Sequence, residues 1–115
     1  MKTIWVKFQK EGLHRYPDAP EEVGYLRNLH RHIFHFRVEL EVFHNDRDVE
    51  FIMFKHELQN LYSEGVLMMD YKSCEMLAQD LGEYILTKYP NRRYNISVSE
   101  DNENGATIYS EEFFK

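Results

Sequence analysis

A single cysteine, Cys74, leaves the chain without the means to close an internal disulfide, so its stability has to come from packing. Proline and glycine are scarce, at three and five residues, and no Ser/Pro/Gly-rich linker, internal repeat or low-complexity tract divides the chain. No apolar run approaches the roughly 18 residues of a membrane span, and no basic, apolar, small-residue leader opens the sequence. Basic residues are also short, at fourteen Lys and Arg against twenty Asp and Glu, a net charge of −6. That mean field repels phosphate backbones and anionic lipid heads, which argues against nucleic acid and membrane surfaces as partners. Taken together, these absences lead us to expect a cytoplasmic protein held in reducing surroundings.

What is present is ample for a core. Of 115 residues, 43% are hydrophobic and 15% aromatic, which suits one domain spanning residues 1–115 and rules out compositional disorder. Ile4, Val6 and Phe8 alternate with Lys7 and Gln9, predicting a strand over Thr3–Gln9 that Gly12 ends. His14 to Leu29 contains Pro17, Pro20 and Gly24 and lacks a period, so it reads as a long ordered loop with one helical turn from Ala19. The clearest alternation runs from His30 to Phe43. His30, His32, Phe34, Phe36, Val38, Leu40 and Val42 share one parity, while Arg31, His35, Arg37, Glu39 and Glu41 share the other, the pattern of a half-buried strand.

Turn chemistry at Asn45-Asp46 and the apolar run Val49 to Phe54 suggest a hairpin return. Phe54, Leu58, Leu61 and Tyr62 are spaced for a helix up to Gly65. Leu77, Leu81, Tyr84, Ile85 and Lys88 are spaced for a second one, beginning near Ser73 as N-cap and stopping before Pro90. Tyr94, Ile96 and Val98 then alternate, and the turn Asp101 to Gly105 leads into Ala106 to Tyr109 as a closing hairpin. The order strand, strand, strand, two helices, strand, strand predicts an α+β fold, an antiparallel sheet with two helices on one face.

Chemistry concentrates on histidine. His30 and His32, two apart on a strand, present imidazoles on one face about 7 Å apart along the rise, and His14 follows the first strand as a third nitrogen donor. Three such donors make a catalytic-type zinc site with one open position. The competing reading is that paired histidines on a half-buried strand simply pack. His35, on the other strand face, His44, beside a turn, and His56, on a polar helix stretch, read as solvated. Cys74 at a helix start is either a thiol activated by the helix dipole or a structural cysteine. Glu100, read by itself, is an exposed acid heading a turn.

Five segments in order resemble the 6-pyruvoyl tetrahydropterin synthases and the related 6-carboxytetrahydropterin synthases of queuosine biosynthesis. They are Leu13-His14-Arg15-Tyr16-Pro17; Leu29-His30-Arg31-His32-Ile33-Phe34 with its alternating continuation; Phe51-Ile52-Met53-Phe54-Lys55-His56-Glu57-Leu58; Ser73-Cys74-Glu75-Met76-Leu77-Ala78; and Val98-Ser99-Glu100 with Gly105 and Tyr109 beyond. The resemblance implies a tunnelling fold in which subunits join sheets into a barrel, a homo-oligomer that is a trimer or hexamer, with pterin sites between subunits. It further implies that His14, His30 and His32 bind Zn2+ and that Glu100 holds the guanidine-like edge of a pterin, two carboxylate oxygens against two N–H donors.

In that family zinc polarises the substrate side-chain oxygens, and a Cys helped by an Asp-His pair moves protons as triphosphate leaves dihydroneopterin triphosphate. This chain departs from the pattern. Leu26 stands where the Cys belongs, Arg31 replaces the Gly between the paired histidines, Ile52 replaces the Asp of the hairpin return, and only Met69-Asp70-Tyr71 remains of the Asp-His segment. Replacement acids are Glu21, Glu22, Tyr25 and Asp70, and Arg15, Arg27 and Arg31 are the local cations a polyphosphate needs. The resemblance therefore implies a zinc-dependent pterin lyase or, with turnover lost, a binder of pterin- or purine-like ligands on the same fold. A purely structural oligomer is the third expectation.

Overall fold

The computed structural model describes residues 1–115 and is built on one five-stranded sheet, in the order β3-β1-β2-β4-β5. Its elements are β1 (Lys2–His14), a 3-10 segment (Glu21–Arg27), β2 (His30–Val42), α1 (Phe51–Asn60), β3 (Leu67–Asp70), α2 (Cys74–Lys88), β4 (Tyr94–Glu100) and β5 (Asn104–Tyr109). All neighbouring strands run antiparallel except β3, which pairs parallel with the end of β1. No helix is long and apolar enough to cross a membrane.

The parity of β2 is realised along its length. Phe34, Phe36, Val38, Leu40 and Val42 are buried under the helices, while Arg31, His35, Arg37, Glu39 and Glu41 face away. The core joins them to Val6 and Phe8 of β1, Ile96 and Val98 of β4, Phe54 and Leu58 of α1, and Leu77, Ala78, Leu81 and Ile85 of α2. α2 starts where the N-cap expectation puts it: the Ser73 hydroxyl accepts from the Met76 N–H at 3.1 Å. The two helices are tied to each other through Glu57 of α1, whose carboxylate accepts from the hydroxyls of both Tyr84 and Tyr89.

Three local expectations are corrected. β1 does not end at Gly12 but runs to His14, because Leu13 and His14 continue the ladder with Arg31 and His30 of β2, and a side chain at Gly12 would meet the Phe34 ring at 3.0 Å. The glycine marks a close approach inside the strand, not its end. Val49 to Phe54 forms no hairpin return, since both edges of β2 are already taken by β1 and β4. Glu50 instead caps α1, its carboxylate accepting from the N–H groups of Ile52 and Met53. The apolar run therefore becomes a first helical turn, in which Phe54 is buried and Phe51, Ile52 and Met53 are exposed. Finally, β3 was not anticipated: four residues pairing with the last three of a longer strand carry too little period to read, and they make the sheet mixed.

The face away from the helices carries a polar network. The half-buried Glu39 carboxylate accepts from Thr3 at 2.6 Å, Asn95 at 3.0 Å and Arg37 at 3.1 Å. Burial pushes this carboxyl up, but the three hydrogen bonds and the Arg37 charge together hold it below its ordinary 4.5. A depressed carboxyl contributes stability that is fully present above its unfolded value and is lost as pH falls through the folded one. Acid destabilisation between about pH 5 and pH 3 is accordingly expected to be shallower in Glu39→Gln than in the wild type, as read by denaturant midpoints at each pH; equal slopes would contradict the network's role.

Candidate metal centre

Strand register assembles the site. β1 and β2 pair so that His14 lies directly opposite His30 and Gly12 opposite His32, which puts all three imidazoles on the helix-covered face at one end of the sheet. The His14 and His30 rings stand 4.6 Å apart, His14 and His32 5.2 Å, and His30 and His32 5.0 Å, centre to centre. Phe34 forms the floor, its ring edge-on to His14 at 5.0 Å and to His32 at 5.9 Å.

Each ring is oriented by its other nitrogen. Nδ1 of His14 donates to the Lys72 carbonyl at 2.9 Å, Nδ1 of His30 to the Asn28 carbonyl at 2.9 Å, and Nδ1 of His32 to the Asp101 carboxylate at 2.7 Å. Carbonyls and carboxylates only accept, so every Nδ1 carries the hydrogen and every neutral ring leaves its Nε2 lone pair free. Acceptors of this kind behind histidine ligands set the tautomer and raise ligand basicity. Asp101 is itself fixed: it adopts φ 55, a left-handed conformation that Asp tolerates, its N–H donates to the Ile33 carbonyl, and its second carboxylate oxygen accepts from the Ile33 N–H at 2.9 Å. Those contacts hold its carboxyl below the ordinary range, the Ile33 hydrogen bond first and His32 second.

The ligand atoms of His14, His30 and His32 lie within 4.8 Å of one another. Bonds of 2.0–2.1 Å at tetrahedral angles need donor atoms about 3.3 Å apart, so the three nitrogens would draw in by at most about 1.5 Å to share one ion. Two of the nitrogens are unsatisfied: Nε2 of His14 and Nε2 of His32 are buried and have no hydrogen-bond partner. Orphaned buried nitrogens cost stability unless something satisfies them. A divalent cation does so with the right donor set, since three neutral imidazoles are a zinc-type set.

Glu100 arrives from β4, whose register places it beside Phe34 and turns its side chain to the same face. Its Oε2 stands 3.1 Å from His32 Nε2 and its Oε1 3.4 Å from His14 Nε2, yet neither contact has hydrogen-bond orientation. It is therefore a member of this cluster and not a bare acid at a turn. The Cys74 thiol, at the first turn of α2, points to Glu100 Oε1 at 3.9 Å. Burial and the Glu100 charge push this thiol up to about 12, so it is a protonated, structural cysteine rather than one activated by the helix dipole.

The other sequence candidates lie elsewhere. Glu21, Glu22 and Tyr25 are exposed on the 3-10 segment, Tyr25 at 73%. Asp70 is next to His14 across β1 and β3, but its carboxylate accepts from Arg15 Nε at 2.7 Å. Arg31 pairs with Glu11 at 3.1 Å on the opposite sheet face, and Arg27 Nε donates to the Ala19 carbonyl at 2.9 Å. His44 and His56 are exposed and His35 sits on the far face, all outside the cluster. Sequence reading missed the acceptors Asn28, Lys72 and Asp101. Two of them are backbone carbonyls without any sequence signal, whereas Asp101-Asn102 after a strand was a readable left-handed turn. No protein-family model matches the chain, and comparison with curated proteins finds no match.

Proposed function

We propose that the chain is a zinc-dependent, pterin lyase-like protein of the 6-pyruvoyl and 6-carboxytetrahydropterin synthase type, acting on dihydroneopterin triphosphate or a related pterin. The observation that carries the reading is the convergence of His14, His30 and His32 with Nδ1 engaged and Nε2 free on all three. His14, His30 and His32 would hold the ion, which when bound supplies Lewis-acid polarisation of a substrate oxygen. Asn28, Lys72 and Asp101 fix the rings, and Glu100 offers the carboxylate for a guanidine-like edge.

Oligomerisation into a tunnelling-fold barrel, as trimer or hexamer, belongs to the same proposal. β3 covers β1 only at Gly12–His14, which leaves the outer edge of β1 open from Lys2 to Glu11, and β5 has an open outer edge as well. Ring assembly is one way in which such edges are closed. We place the protein in the cytoplasm, in keeping with its lone, unpaired cysteine.

A second reading, a pterin- or purine-like ligand binder without turnover, is favoured by one specific set of contacts. Leu26 can neither donate nor accept a proton, Asp70 is occupied by Arg15, and the arginines available for a polyphosphate are engaged or face away. One assay separates the two. Zinc-loaded protein incubated with dihydroneopterin triphosphate releases inorganic triphosphate if it is a lyase. Pterin binding without release supports the binder, and neither binding nor release removes both.

A further inference from the structure

The Glu100 carboxylate is engaged before any ligand arrives. Its two oxygens lie 3.1 Å and 3.4 Å from the Nε2 atoms of His32 and His14. Donor atoms around one tetrahedral ion with bonds of 2.0–2.2 Å stand about 3.3 Å apart, so these are the spacings of ligands that share a metal. They are not hydrogen bonds: both nitrogens are buried and lack a hydrogen-bond partner even with the carboxylate beside them. His14 is 6% exposed, which leaves water little access to that nitrogen.

We propose that Glu100 is the fourth donor to the ion held by His14, His30 and His32, an inference that rests on the three-histidine reading and extends it. Glu100 contacts His14 and His32 but not His30, so it approaches from one flank of the set. The Cys74 thiol donates to Oε1 and steers the carboxylate without displacing it. A ligand oxygen that takes the fourth place frees both carboxylate oxygens for N–H donors, so one residue serves the metal at rest and the ligand when bound. The site is thus closed in the absence of ligand, and the carboxylate offsets one of the two positive charges that three neutral imidazoles leave unbalanced.

The test uses the full chain with metal alone as the probe. Zn2+ affinity is measured by competition with a chromophoric chelator, and Co2+ is substituted to read the visible ligand-field bands, in wild type, Glu100→Ala, Glu100→Gln and His30→Ala. The expected result is a fall in Zn2+ affinity of about tenfold or more in both Glu100 variants, with shifted Co2+ bands. The Gln variant keeps the side-chain volume should the Ala variant fold poorly. Unchanged affinity, or lowered affinity with wild-type Co2+ bands, overturns the ligand role of Glu100 while leaving the histidine site standing. Wild-type affinity in His30→Ala overturns the underlying three-histidine reading instead.

Discussion

Replacing His30 with alanine is expected to abolish tight Zn2+ binding while leaving the fold intact. Loss of one residue that merely supports a ligand typically costs 10–100-fold in metal affinity, and removing one of three nitrogen donors should cost more than that. His30 is the right position for the experiment. It is half-buried at the sheet end and is held only by a short-range bond to the Asn28 carbonyl, whereas His14 is buried against Phe34 and bonded to the Lys72 carbonyl ahead of α2. Its truncation removes a donor without opening the core. Chelator competition reads the affinity, and denaturant unfolding of the metal-free proteins checks the fold. Equal affinities for wild type and variant would mean that the histidines pack and do not ligate.

The second large effect belongs to Phe34. This ring is fully buried, lies under His14 and His32, and occupies the space that Gly12 leaves open. Phe34→Ala removes its burial energy and leaves a cavity beneath two donors, at an expected cost of about 3–5 kcal/mol. Against a total of about 5–15 kcal/mol for a domain, that is severe. Phe34→Leu keeps most of the volume and should cost much less. Because the rings of His14 and His32 rest on this floor, Zn2+ affinity should fall with stability in the alanine variant and largely recover in the leucine variant. Lost stability with wild-type affinity would show that the floor does not position the donors.

Much of this arrangement was legible in the chain, and the reasons for success and failure are physical. The long alternation from His30 fixed which side chains share a face, because a strand's side-chain period is two and one face is buried. That alone put His30 and His32 with Phe34. Ser73 announced α2 because a hydroxyl at an N-cap satisfies a free backbone donor. His14 could be suspected but not placed, since its position depends on the β1–β2 register, which pairs it with His30.

The misreadings share one cause. Whether Phe51-Ile52-Met53-Phe54 becomes strand or helix depends on whether β2 has an edge to spare, a long-range fact. Gly12 read as a stop because its reason for being glycine, the Phe34 ring, lies across the sheet. Glu100, read without the resemblance, likewise gave no hint of its neighbours. Only the β2–β4 register, pairing Phe34 with Glu100, brings an acid at the end of one strand to histidines on another.

Ligation of one divalent ion through Nε2 of His14, His30 and His32 can be read at the metal itself. X-ray absorption at the zinc edge of the purified full chain loaded with one equivalent of Zn2+ tests it most directly. The expected result is imidazole scattering from three histidines with Zn–N distances of about 2.0–2.1 Å and a first shell of nitrogen and oxygen without sulfur. A shell made only of oxygen, or one containing the Cys74 sulfur, would contradict it.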